Sequence, residues 1–400
     1  MGTEQPPSNG RTGGAVKVGL VTKEWPPHIY GGAGVHALQL TEALRKKIAV
    51  SVHCFGELRA GAVDVHAYPL SDQASHFNGA LQALSTDIEI AQALGGVDII
   101  HSHTWYANMA GHFGALLHGK PHVITAHSLE PDRPWKAEQL GGGYRISSWA
   151  EKTAYEAADA IIAVSNGMRR DVLRAYPSLD PAKVHTILNG VDTIKYAPTD
   201  DPALLERLGI NGRYAIFVGR ITRQKGLGHL LRAWREVDPS LGLLIAAGSP
   251  DEPAIGEEIG GLIAELQRER KNIWWQEQML PQHELKVLLS QSEFFICPSI
   301  YEPLGIVNLE AMACQTAVLA SDVGGIPEVV LDGVTGELVH YDGDAERFES
   351  ALTLKINSFA ARPSDLEAYG RAGRKRAIAD FSWDAIADQT IALYSSLHQR

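Results

Sequence analysis

The feature that most constrains this chain is an alternation that runs through it twice. Short apolar runs that read as buried strands fall at 16–22, 49–55, 97–101, 122–125, 160–164 and 184–188, with helical patterns between most of them. The pattern then restarts, with strand runs at 214–218, 241–247, 273–276, 294–297 and 316–320. Strands joined through helices pair in parallel, and the helices cover both faces of the sheet. Two doubly wound α/β domains follow, meeting near 192–198. Ligands of such sheets bind beyond the carboxyl ends of the strands, so the natural site is the cleft between the two domains.

One strand end carries much of the chemistry. The run 294–297 leads into S-I-Y-E-P-L-G-I-V-N-L-E, residues 299–310. Pro303 suits the first position of a helix and keeps Glu302 out of it, so a helix is expected from Pro303 with Glu302 at its mouth. Glu310 is the only charged residue from Pro303 to Ser321, and a lone carboxylate in so apolar a helix needs something to hold it. Along a helix axis the two carboxylates stand about 12 Å apart. Between them lie the amides of Leu304 and Gly305, at the positive end of the helix, where an anion is welcome. A ligand with a negative middle and hydroxyls at each end fits, as in a nucleotide sugar. A glycosidase would need its two carboxyls within about 5–10 Å across one bond. The plainer alternative is a helix cap plus a buried structural glutamate.

Gly219-Arg220-x-x-x-x-Lys225-Gly226 follows another strand. Two cations fixed beside a helix N-terminus suit a diphosphate leaving group, without a metal to neutralise it. Replacing either by alanine is expected to lower turnover by about 10² to 10³ with little effect on the fold. Other patterns are weaker. Gly32-x-Gly34-x-x-Ala37 with Glu57 approaches a dinucleotide fingerprint, but eight or so residues separate it from its strand. His101 and His103 share a strand face as zinc ligands can, yet no H-E-x-x-H or second pair supplies a third ligand. Ser165 imitates a nucleophile elbow but lacks the first glycine and reads better as a helix N-cap. The segment after His127, 128–144, should border the cleft opposite the donor helix. There Arg133 and Lys136 flank Pro134-Trp135, a pattern suited to a sugar phosphate, while Trp105, Trp135 and Tyr144 offer faces for a neutral glucan. The plainer alternatives are that Trp105 is simply core and that both cations are solvated, with Lys136 pairing Glu138 or Glu130.

A formal net charge of −11 argues against a general nucleic-acid or anionic-membrane surface. Cys54, Cys297 and Cys314 lie in apolar contexts without metal spacing and read as reduced core thiols of a cytoplasmic protein. No apolar run approaches a membrane span. Residues 1–14 read as a disordered tail.

The motifs together resemble a known family. E-P-L-G-I-V-N-L-E resembles the E-x7-E motif of retaining glycosyltransferases with the GT-B fold. E-W-P-P-H-I-Y-G-G-A-G-V-H, H-S-H-T-W-Y, T-A-H-S-L-E-P-D-R-P-W-K-A-E-Q-L-G-G-G-Y, V-G-R-I-T-R-Q-K-G and S-D-V-G-G-I-P-E-V-V resemble actinobacterial-type glycogen synthases of glycosyltransferase family 4. The resemblance implies two Rossmann-like domains, an acceptor-side domain over 15–195 and a nucleotide-sugar domain over 196–382, with a final helix, 383–400, crossing back to the first. It implies transfer of glucose from ADP-glucose with retention, forming an α-1,4 bond to a glycogen or other α-glucan end, to glucose 1-phosphate, or to both. It assigns Gly31 and Gly32 to a loop closing over the donor and His127 to the donor sugar's 6-hydroxyl. Glu302 would hold a hexose hydroxyl, Glu310 the ribose, and Arg220, Lys225, Leu304 and Gly305 the diphosphate. No cofactor or metal is implied. ADP against UDP, assembly into a homo-oligomer, and a non-catalytic sugar-binding role all stay open.

Overall fold

The computed structural model describes residues 16–29, 31–59, 63–133 and 141–398. The expected tail and the acceptor-loop residues Trp135 and Lys136 lie outside them. Among the described residues, seven strands form a first sheet: β1 (Lys17–Thr22), β2 (Ala49–Phe55), β3 (Val65–Tyr68), β4 (Ile99–His103), β5 (His122–Ala126), β6 (Ala160–Ala163) and β7 (Val184–Thr186). Six form a second: β8 (Tyr214–Ile221), β9 (Gly242–Pro250), β10 (Ile273–Gln276), β11 (Phe294–Cys297), β12 (Ala317–Ser321) and β13 (Gly336–Val339). All neighbours pair in parallel, in the orders β3-β2-β1-β4-β5-β6-β7 and β10-β9-β8-β11-β12-β13. Central strands β1, β4, β5, β11 and β12 are almost wholly buried, as strands covered on both faces must be.

In each sheet the strand order turns around at one point, between β1 and β4 and between β8 and β11. Crevices open at such switch points, because the flanking loops leave in opposite directions. Gly31 and Gly32 after β1, His103 at the end of β4, Arg220 and Lys225 after β8, and Glu302 after β11 sit at one of them. The helix Trp383–His398 returns to the first domain and packs on the helix Gly32–Arg45, burying Trp383, Ile386 and Tyr394 with Val18 and Leu20. The two chain crossings between domains run side by side, joined by Val191 N–H to the Phe381 carbonyl at 2.8 Å.

Two strands escaped the sequence reading, β3 (V-H-A-Y) and β13 (G-E-L-V). Both are four-residue edge strands, too short and too polar to stand out. The donor helix also differs from expectation. It runs Ile306–Ala313, not from Pro303, because Gly305 at its N-cap adopts φ +88° and sets Pro303 and Leu304 in a turn ahead of it. Only glycine takes that conformation without strain. The three cysteines are buried and free.

Candidate active site

In the second domain, the β8 and β11 ends converge. Lys225 Nζ meets Glu302 Oε2 at 2.6 Å, and Ser299 Oγ donates to the same oxygen at 3.2 Å. Burial works against the Lys225 charge, but the Glu302 carboxylate outweighs it and holds the ammonium above its ordinary pKa. An ammonium has three donors, so two stay available for a ligand. Arg220 Nη1 donates to Asp251 at 2.6 Å, which aims the guanidinium. Among the described residues, no protein group accepts from the amides of Leu304 or Gly305. Glu310 lies deeper. Burial raises its carboxyl to about 7, against the pull of the Tyr196 hydroxyl and the Lys225 charge. Gly324 completes the mouth. At φ +59° its α-carbon lies so close to Glu302 that a β-carbon would stand 1.9 Å from the Glu302 carbonyl, and Gly325 N–H donates to that carbonyl at 3.0 Å.

The first domain faces this mouth. Gly31 is extended and caps the helix beginning at Gly32, and a β-carbon on Gly32 would lie 3.6 Å from Ile306 Cδ1 of the donor helix. Glu24, buried at the end of β1, anchors the loop by accepting the Gly31 amide at 2.9 Å. The sequence reading missed Glu24; its place one turn ahead of a glycine run was the available signal. It also missed His36. Among the described residues, His36, His103 and His127 bring ring nitrogens within 4.8 Å of one another. His103 Nδ1 and His127 Nε2 share a hydrogen bond at 3.0 Å, and His36 Nδ1 meets Asn189 Oδ1 at 2.5 Å. Burial holds all three imidazoles neutral, His36 at about 4 despite its bond to Asn189, and neighbouring histidines lower His103 and His127 further. His101 is taken up elsewhere, between Tyr394 Oη at 2.6 Å and Thr125 Oγ1 at 2.7 Å.

On the acceptor side, Trp105 is 4% exposed and packs against Ala80 and Ala83, so its ring offers no face to a sugar. Those alanines belong to the neighbouring helix Gly79–Ala93, which draws it into the core. Tyr144 is half-buried and its hydroxyl donates to the Glu130 carbonyl at 2.8 Å. Arg133 Nη1 donates to Ser128 Oγ at 3.1 Å, and its Nε is buried without a partner. A buried carboxyl pair props the loop from behind. Glu130 N–H donates to Glu151 at 2.8 Å, Tyr176 Oη donates to Glu151 at 2.5 Å, and Ser147 Oγ donates to Glu130 at 2.6 Å.

Ser165 is the N-cap read from sequence, accepting Met168 N–H at 2.8 Å, and its hydroxyl also donates across the interface to Pro303 O at 2.6 Å. Beyond it, a cavity of about 660 Å³ lies between the domains, lined by Arg170 and Arg174 on one side and Tyr301, Asp322 and Gly324 on the other. It borders the cleft but includes none of Arg220, Lys225, Glu302 or Glu310. No helix among the described residues is long and apolar enough to cross a membrane.

Two doubly wound domains whose switch points face each other across a cleft, one presenting glycines and histidines and the other cations at a helix mouth, make the GT-B arrangement. The model of Glycosyltransferase Family 4 matches residues 30–195, and that of Glycosyl transferases group 1 matches residues 203–376. An alpha-maltose-1-phosphate synthase of Mycolicibacterium smegmatis is 52% identical over 385 residues, 95% of this chain and 99% of the relative. One from Mycobacterium tuberculosis is 50% identical over the same shares. Among solved structures, sucrose-phosphate synthase from Thermosynechococcus elongatus superposes with a TM-score of 0.77 at 25% identity, covering 96% of this chain and 99% of that one. Anabaena HepE in complex with UDP-glucose gives 0.78 at 20% identity, over 96% and 100%, a likeness of fold. The chain belongs to the family 4 glycosyltransferases of the GT-B fold.

Proposed function

We propose that this glycosyltransferase moves glucose from ADP-glucose, with retention, to the 4-hydroxyl of glucose 1-phosphate, giving maltose 1-phosphate for α-glucan synthesis. The observation that carries the acceptor is half-identity over nearly the whole chain to enzymes named alpha-maltose-1-phosphate synthase. Elongation of a glycogen end is the competing reaction of the same cleft.

The residues divide the work by position. Lys225, Arg220 and the amides of Leu304 and Gly305 hold the diphosphate, and their charge stabilises it as it leaves. Glu302, fixed by Lys225 and Ser299, takes a hexose hydroxyl, and Glu310 the ribose. His127, neutral and oriented by His103, donates to or accepts from the 6-hydroxyl. The bond from C1 to the diphosphate oxygen breaks while C1 bonds the acceptor oxygen on the same face. The acceptor proton passes to the departing phosphate, so no side-chain nucleophile and no metal is required. Closing the domains excludes the water that would hydrolyse the donor.

The test is nucleoside diphosphate release from ADP-glucose and UDP-glucose, each with glycogen and with glucose 1-phosphate. The proposal expects ADP-glucose with glucose 1-phosphate to give the highest kcat/KM. A preference for glycogen would reassign the acceptor, and no release with any pair would leave a binding module.

A further inference from the structure

We propose that Lys23, Tyr106 and Arg133 form the pocket that binds the phosphate of the acceptor, with Lys23 the residue that distinguishes a phosphorylated from a neutral acceptor. The inference rests on the acceptor reading above and deepens it. The three residues come from neighbouring strand ends of the first sheet. Lys23 follows β1, Tyr106 lies in the first turn after β4, and Arg133 is on the segment after β5. The first two flank the switch point itself, where the crevice opens.

Lys23 Nζ sits 3.8 Å from the centre of the Tyr106 ring, which stacks in turn on the buried Trp105. Burial lowers the Lys23 pKa, only partly offset by the charge of Glu24. Among the described residues, no carboxylate lies within 4.0 Å of Lys23 or Arg133. The carboxylates near Tyr106 are Glu24, Glu130 and Asp251. Each has a partner already: the Gly31 amide, the Ser147 hydroxyl and Arg220. Two half-buried cations beside satisfied carboxylates form a site short of negative charge. A ring face under an ammonium and an unpartnered Arg133 Nε mark where an anion would restore the balance. Asp251 and its partner Arg220 belong to the donor side, so the pocket faces the donor across the cleft, where an acceptor must stand. A glucan end carries no charge and leaves both cations unanswered; a phosphate monoester answers them.

The experiment compares Lys23→Gln and Lys23→Arg with the unaltered protein, using glucose 1-phosphate and the neutral acceptor maltotriose, with thermal unfolding as a check on folding. The pocket requires that kcat/KM for glucose 1-phosphate in Lys23→Gln fall at least about tenfold more than that for maltotriose, and that Lys23→Arg recover most of it. Equal falls on both acceptors, or no fall, would overturn it. Calorimetric binding of glucose 1-phosphate in the presence of ADP separates this site from the broader reading. If the unaltered protein binds glucose 1-phosphate at least about tenfold more tightly than Lys23→Gln but does not turn it over, the pocket stands and the acceptor assignment falls. If it turns glucose 1-phosphate over and both proteins bind it alike, the assignment stands and the pocket falls.

Discussion

Glu328 of the second domain caps a helix of the first. Its carboxylate accepts the Gly167 amide at 2.7 Å and the Asn166 amide at 2.8 Å, with the Asn166 side chain adding a third bond at 3.0 Å. A carboxylate at a helix N-terminus is favoured both by the free amides and by the helix dipole. Here the favourable contact exists only while the domains are together. The fit is close: a β-carbon on Gly167 would stand 2.6 Å from the Gly324 carbonyl.

Glu328→Ala therefore removes about 1–2 kcal/mol from the closed arrangement, the cost of losing a helix cap. Solution scattering should show a larger radius of gyration than for the unaltered protein without ligand, returning toward the closed value at saturating nucleotide sugar. Identical scattering in both proteins would show that Glu328 does not hold the domains together.

Lys225→Ala should lower turnover by about 10² to 10³. The sequence alone led us to expect unchanged stability. The structure revises this, because Glu302 is 7% exposed and would be left with Ser299 alone. A loss of about 1–3 kcal/mol in denaturant unfolding is expected. Glu302→Gln in the same background should restore much of the stability and none of the turnover. Arg220→Ala, whose partner Asp251 is more open to water, should lower turnover without that loss of stability. Full turnover in both single variants would remove the diphosphate clamp.

Glu151 sets a dependence of stability on pH. Burial, then the Glu130 carboxylate, raises its carboxyl to about 8, against hydrogen bonds from Tyr176 and the Glu130 amide. A raised carboxyl holds its proton in the folded chain where the unfolded chain has lost it. Stability therefore falls as pH rises from near the ordinary carboxyl value to about 8. Glu151→Gln keeps acceptors for both hydrogen bonds and abolishes the titration. Relative to the unaltered protein it should gain stability with a slope of about 1.4 kcal/mol per pH unit between roughly pH 5 and 8. Parallel stability curves would place that charge elsewhere.

What could be read from the sequence follows from how local each signal is. β8 and β11 were legible because apolar runs end there in charged or proline-containing turns, and Arg220, Lys225 and Glu302 came with them. Gly305 and Gly324 stood out as glycines, but their φ values were not readable, so the helix was started too early at Pro303. His36 and Asn189 are 153 residues apart, and no local pattern could announce that they meet. From sequence Trp105 reads as a stacking face or as core, and the structure makes it core. Its contacts with Ala80 and Ala83, which pull it into the core, come from a different helix. Lys23 carries no local signal, because only the fold sets Tyr106 beneath it.

The central claim is retaining transfer of glucose onto glucose 1-phosphate. Proton and phosphorus magnetic resonance of a reaction containing ADP-glucose, glucose 1-phosphate and this protein follows it directly. The account predicts one new phosphorylated disaccharide whose new linkage is α-1,4, appearing in step with ADP. A β-linked product, or ADP accompanied by free glucose alone, would contradict it.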